Sequence, residues 1–409
     1  MQEDLPADVE RELKVYFCDT RLTSGSVACV VTGKRNYTWH HLNHRHYEHH
    51  LSNIVPLIQH SNTNLYHARN NIKHLDPILE CEQLETIART AFWLDGQVAR
   101  AFGCTRIGYY VAQYERRPFS EQLKWAGQAL YYARHKPNYQ ILEQLLADTI
   151  LRPLAEHNDA IPKDVVRSLL QEFETLLTLG GDAKGAAFLS EHSRDAVPPQ
   201  DGVKYAGAVR RRAHTLGTVF GPTAEVLSLL RESANVVPWN PNQALNVAST
   251  KNNLYLGEGT TDGYRRALDI ASETYDDLIR SKVDVHDARV WPKSKATDLP
   301  ALPVRASPSN IAHLALSLCV ALAVSKPNRW EDSMQEAIYV AEYYWNLAGA
   351  KLDGPGRGSW RRVIATLDSA HPLHMQLVSL IDRLEAPPFP RALKTKIYEA
   401  AKTLVARLR

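Results

Sequence analysis

The run Ile311-Ala312-His313-Leu314-Ala315-Leu316-Ser317-Leu318-Cys319-Val320-Ala321-Leu322-Ala323-Val324 decides how the rest of the chain is read. It is apolar on every side and makes about four helical turns. A helix that spans a bilayer needs about 20 apolar residues, and this run is shorter and is interrupted by His313 and Ser317. An all-round apolar helix of this length belongs in the core of a protein, and it must be covered by other helices or sheets.

Working outward, the segments on both sides carry the helical period. Residues 6–18 read as a short amphipathic helix. Pro77 opens a long helix through Leu79, Leu84, Ile87, Ala91, Phe92 and Ala99 that stops at Gly103. Ser120 has the chemistry of an N-cap for a helix carrying Leu123, Ala126 and Leu130. Residues 139–154 are helical with a distortion at Pro153, and residues 164–179 end at Gly180-Gly181. Thr223 and Thr261-Asp262 open two more helices. Downstream, residues 330–347, 373–384 and 391–408 share the pattern. No fixed period of a helical repeat runs through the chain.

One strand signal stands out. Residues 26–31 and 37–39 are β-branched and aromatic and flank Thr32-Gly33-Lys34-Arg35-Asn36, the pattern of a hairpin. Two long stretches lack a period. Residues 236–259 hold Pro238-Trp239-Asn240-Pro241 and Gly257-Glu258-Gly259; residues 283–310 hold Trp291-Pro292, Pro300, Pro303 and Pro308. Their tryptophans and aliphatic residues argue against plain disorder. They read as ordered excursions that pack on something, with Trp239, Trp291 and Pro292 as candidate assembly contacts. The expected fold is mainly α: a large helical body with one short N-terminal β-hairpin and two long irregular excursions. The expected division is 1–235, 236–310 and 311–409, the last part packing on the body.

With 44% hydrophobic and 23% charged residues the composition is that of a globular protein. The 48 basic and 45 acidic side chains net only +3, which supplies no long-range basic field for gripping nucleic acid. The acidic start Met1-Gln2-Glu3-Asp4 has neither a signal-peptide pattern nor a basic arm. Five widely spaced cysteines without a CxxC pair fit reduced thiols in an intracellular compartment.

Chemically versatile side chains concentrate in Trp39-His40-His41-Leu42-Asn43-His44-Arg45-His46-Tyr47-Glu48-His49-His50, followed by His60, His67 and His74. The order His46-Tyr47-Glu48-His49 is not HExxH. His46-Tyr47-Glu48 matches half of a zinc-deaminase signature, whose Pro-Cys-x-x-Cys half the chain lacks. The favoured reading is a polar connector between hairpin and helices; metal binding, and catalysis or pH sensing, are the alternatives. Asp276-Asp277 begins a DDxxD-like pattern that Arg280 breaks, so a solvated helix face is expected. Gly257-Glu258-Gly259-Thr260-Thr261-Asp262-Gly263 is one residue off the dinucleotide fingerprint, and neither a P-loop nor GxSxG occurs. Arg210-Arg211-Arg212 and Arg357 with Arg361-Arg362 are candidate RNA contacts on solvated faces, and Arg265-Arg266 is a further basic pair. No catalytic, cofactor-binding or metal-binding residue is assigned, and no cofactor or membrane is expected.

In size, helix dominance, the lack of a basic arm and the Pro/Trp-bearing stretches 236–259 and 283–310, the chain resembles the coat proteins of small double-stranded RNA viruses, the partitivirus-like group. The resemblance carries over no individual residue. It implies a helical shell protomer with a protruding region, dimers as building blocks, and a closed particle around the genome, found in the virion and the host cytoplasm. Its partners are then copies of itself and RNA held weakly without sequence preference. The alternatives are an RNA-coating viral nucleoprotein and an all-α metal-dependent enzyme using the histidine cluster or Asp276 and Asp277.

Overall fold

A computed structural model describes residues 5–19, 26–31, 33, 35, 37–42, 49–57, 81–93, 97–136, 138–193, 197, 199–238, 240–280, 308–348, 360–384 and 389–408. The chain begins with α1 (Ala7–Phe17), β1 (Cys18–Asp19), β2 (Ser26–Val27), β3 (Thr38–His41) and β4 (Ile54–Leu57). Helices follow: α2 (Cys81–Trp93), α3 (Val98–Tyr114), α4 (Phe119–Ala133), α5 (Tyr139–Leu146), a π turn over Ala147–Leu151, and α6 (Arg152–Glu156). Next come α7 (Lys163–Leu179), α8 (Ala183–His192), α9 (Val203–Phe220), α10 (Ala224–Val236), α11 (Pro241–Glu258), α12 (Thr261–Tyr275) and a π turn over Asp276–Arg280. The C-terminal helices are α13 (Pro308–Ser325), α14 (Trp330–Ala348), α15 (Pro372–Leu384) and α16 (Arg391–Ala406). The protein is mainly α with short antiparallel strand pairs near its N-terminus.

The strands pair differently from the expected hairpin across Gly33. β2 bonds back to β1 (Cys18 opposite Val27), and β3 bonds forward to β4 (Thr38 opposite Leu57, His41 opposite Ile54). The reason lies in Cys29-Val30-Val31, which is buried against α3 instead of extended in a ladder. Arg100 donates through Nε to the Val30 carbonyl at 2.8 Å and through Nη2 to the Val31 carbonyl at 2.9 Å. Gly33 N closes a turn on the Cys29 carbonyl at 2.8 Å. Gly103, the expected helix stop, sits inside α3. A Cβ there would lie 2.5 Å from Val30 Cγ1, so the glycine serves close approach. The single long helix expected over 77–103 is instead two helices, α2 and α3, with Pro77 outside the described residues. Helix α4 starts at Phe119 behind Pro118, without the Ser120 cap.

Two compact units form: residues 1–173 with 389–409, and residues 174–388. In the first, α16 returns to the α5–α6 region. Lys396 Nζ meets Glu143 Oε1 at 2.6 Å, and Arg407 Nη2 donates to the carbonyls of Leu154 at 2.7 Å and His157 at 2.8 Å. Fully buried Arg106 pins the 3-10 turn Leu51–Asn53 to α3, its Nε donating to the Ser52 carbonyl at 2.7 Å.

In the second unit the apolar run of α13 is the core helix, buried from Ile311 to Ala323 except at His313 and packed with α11, α12 and α14. It is the one helix among the described residues long and apolar enough to cross a membrane, and 67% of it is buried inside the protein. The expected irregular excursion at 236–259 is overturned here. That stretch is α11, with Pro241 in its first turn, the Asn240 side chain accepting from Gln243 N, and left-handed Gly259 closing it at φ +70. Its polar side chains Gln243, Ser249, Thr250, Asn252 and Asn253 are buried, which removes the apolar stripe that would mark a helix in sequence. Of the second excursion only residues 308–310 are described, and they begin α13. Trp239, Trp291 and Pro292 lie outside the described residues.

Candidate functional site

The arginine triad lies on α9 and is half-buried. Arg210 Nη1 donates to Thr250 Oγ1 on α11 at 3.3 Å. Arg211 and Arg212 act electrostatically on Glu174, a buried carboxylate on α7. Glu174 Oε2 accepts from Ser193 Oγ at 3.0 Å and Oε1 from Thr215 Oγ1 at 3.1 Å. Burial raises the Glu174 pKa; Ser193, Arg211, Thr215 and Arg212 oppose the rise. Arg210 is thus tied to Thr250, while Arg211 and Arg212 lie within electrostatic reach of Glu174.

Other arginines are tied to carboxylates. Arg265 and Arg266 both meet Asp262, at 2.7 and 2.6 Å, and Arg361 pairs with Asp382. Arg362 is exposed, and Arg357 lies outside the described residues. The two predicted arginine groups are linked through α11. Arg210 holds Thr250, and Trp360, which precedes Arg361 and Arg362, holds Asn253 one turn further on.

The described part of the N-terminal histidine cluster forms pairs. His40 is buried, with Nε2 at 2.7 Å from Thr38 Oγ1. His41 Nε2 and His49 Nδ1 stand 3.2 Å apart, so one imidazole donates and the other accepts. His50 Nδ1 lies 3.3 Å from Asp148 Oδ2, and Arg152 binds the other Asp148 oxygen at 2.9 Å. His44, His46, His60, His67 and His74 lie outside the described residues. Among the described residues no group of three or more His, Cys, Asp or Glu side chains is arranged to hold a metal ion. Asp276 and Asp277 sit exposed on the π turn after α12.

A second histidine pair, which the sequence reading passed over, is better built. His371 directly precedes α15, Pro372 opens the helix, and His374 lies one turn in. His374 is 1% exposed. Its Nδ1 lies 2.9 Å from the Asp368 carbonyl, which can only accept, so Nδ1 carries the proton and Nε2 keeps a lone pair. The two imidazole centroids are 4.7 Å apart, and the Trp330 ring lies 5.0 Å from His371 and 5.4 Å from His374. His371 Nε2 faces Glu331 Oε1 at 3.7 Å. Lys326 Nζ caps the Trp330 ring at 5.7 Å. Burial pushes the His374 pKa down; His371 and Lys326 add to that, and Asp368 opposes it. Beside the pair runs an open groove of about 590 Å³ lined by Ile364, Leu367, Asp368, His374 and Val378. The spacing His371-x-x-His374 with proline between was the legible signal for this site.

No protein-family model matches the chain, and no curated protein matches its sequence.

Proposed function

We propose that the chain is a structural, self-assembling protein: a capsid protomer that packs against copies of itself around an RNA genome. The observation that carries this reading is the spread of large exposed apolar side chains over several helices. Val15 on α1 is 70% exposed, Phe188 on α8 58%, Phe220 at the end of α9 65%, and Met375 on α15 53%. A subunit in a closed shell touches several neighbours and so needs several separate contact patches. Apolar side chains of this size supply association energy when a partner covers them. The near-zero net charge supports an RNA-facing surface of weak, non-specific affinity. An RNA-coating groove draws less support, because Arg265, Arg266 and Arg361 are already held by carboxylates.

Size-exclusion chromatography with negative-stain microscopy of the purified chain tests the proposal. Closed particles of uniform size are the expected outcome. A chain that stays monomeric across the concentrations tested, or that forms only salt-sensitive RNA-bound filaments, overturns it.

A further inference from the structure

We propose that His371 and His374 form a binding site for a divalent transition-metal ion of the zinc class. Each imidazole has one nitrogen turned to an acceptor and the other left over. On His374, Nδ1–H donates to the Asp368 carbonyl at 2.9 Å and Nε2 is buried without a hydrogen-bond partner. On His371, Nε2 faces the Glu331 carboxylate at 3.7 Å and Nδ1 is buried without a hydrogen-bond partner. Buried polar atoms are nearly always satisfied, so two unsatisfied ring nitrogens on neighbouring imidazoles call for an explanation. A metal ion supplies it. Metal-ligating histidines characteristically donate their other ring N–H to a carbonyl or carboxylate, which fixes the tautomer and the ring orientation. The Asp368 carbonyl is such a partner for His374, and the Glu331 carboxylate stands near His371 Nε2 at 3.7 Å, beyond hydrogen-bond distance.

The residue types also select the ligand. Neutral imidazole suits zinc, copper and nickel and is a poor ligand for magnesium or calcium. Histidines three apart at the start of a helix lie on one face, and the 4.7 Å separation of their rings keeps them together. Proline in the first turn presets that backbone, and the Trp330 ring packs on both imidazoles. Glu331 and Asp368 place negative charge nearby, while the Lys326 ammonium is occupied on the Trp330 face. Two protein nitrogens leave the remaining coordination positions to water, so the ion is bound with moderate affinity and remains exchangeable.

The test uses the full-length, metal-stripped chain and Zn²⁺ itself, in competition with a chromophoric chelator. Because the chain has 17 histidines, the readout is the difference between variants. The double variant His371→Gln/His374→Gln is expected to lose one equivalent of Zn²⁺ that the wild type binds, and Glu331→Gln to weaken that equivalent about tenfold. A His41→Gln/His49→Gln variant keeps it. His371 is half-exposed at the helix start, so His371→Gln alone covers the case in which the double variant fails to fold, and it too must lose the equivalent. Unchanged stoichiometry and affinity in a folded His371→Gln or double variant overturns the proposal. So does loss of the equivalent only in the His41→Gln/His49→Gln variant.

Discussion

Trp360 Nε1 donates to Asn253 Oδ1 at 3.0 Å, and both side chains are buried within residues 174–388. The bond joins the helical turn at 360–364 to the middle of α11 across 107 positions of sequence. It explains how an asparagine comes to be in the core: the indole N–H needs an acceptor there. Asn253→Leu leaves that N–H unpaired and is expected to destabilise by about 1–3 kcal/mol. Urea unfolding of the variant checks it, and an unchanged midpoint would show that the bond carries no net stability.

Helix α3 lies so close to α4 that a Cβ on Gly108 would stand 2.5 Å from Trp125 Cζ3. Alanine is the better helix former by about 1 kcal/mol, but overpacking a buried ring costs about 1–3 kcal/mol. Gly108→Ala should therefore lower thermal stability. A raised melting temperature would mean that the Trp125 ring yields freely.

Glu174 makes stability fall as pH rises. Its folded pKa is raised above the ordinary 4.5, so above that pH the unfolded chain releases the proton first. The contribution is full below pH 4.5 and is lost as pH climbs through the folded pKa. Glu174→Gln removes the titration and keeps one carbonyl acceptor, for Ser193 or Thr215, while its NH2 group faces the other hydroxyl. Urea midpoints of the variant between pH 4.5 and 8 should fall less with pH than those of the wild type; parallel curves would contradict this.

His374 acts in the opposite direction. Its folded pKa is held below the ordinary 6.5 by burial, so the neutral form's stability is complete above pH 6.5 and is lost as pH falls toward the folded pKa. Lys326 and His371 strengthen the acid sensitivity and Asp368 weakens it. Melting temperatures from pH 7 to 5 should drop less in His374→Gln than in the wild type.

Deleting 241–258 removes a core helix and should abolish the cooperative unfolding transition of residues 174–388. Phe188→Lys/Phe220→Lys changes exposed positions only. It should leave the circular-dichroism signal intact and reduce particle formation. Normal particles from that variant would place the assembly contacts elsewhere.

Much of the helical outline was readable because its causes are local. The apolar run 311–324, the Gly180-Gly181 stop and the Thr223 cap each act within a few residues, and the structure has helices at those places. Helix α11 was not readable as a helix. Asn240 and Pro241 are an N-cap and a first-turn proline, yet without an apolar stripe beside them they looked like loop punctuation. Polar groups of α11 find partners far away in sequence: Gln243 Nε2 at Ala206 and Ser233, Asn252 Nδ2 at the Ala267 carbonyl, and Asn253 Oδ1 at the Trp360 indole.

The sequence by itself determined a globular, mainly α protein with an apolar core helix, near-zero net charge and no complete catalytic signature, because composition and 3.6-residue periodicity are properties of short windows. Only the tertiary structure decided which strand pairs with which, where the chain divides into units, and which side chains face inward. It placed Arg211 and Arg212 within electrostatic reach of Glu174, and it brought Trp330 to His371 and His374 and Glu331 near His371. These arrangements rest on partners tens of residues away, and the free energy of a buried polar group depends on whether such a partner arrives.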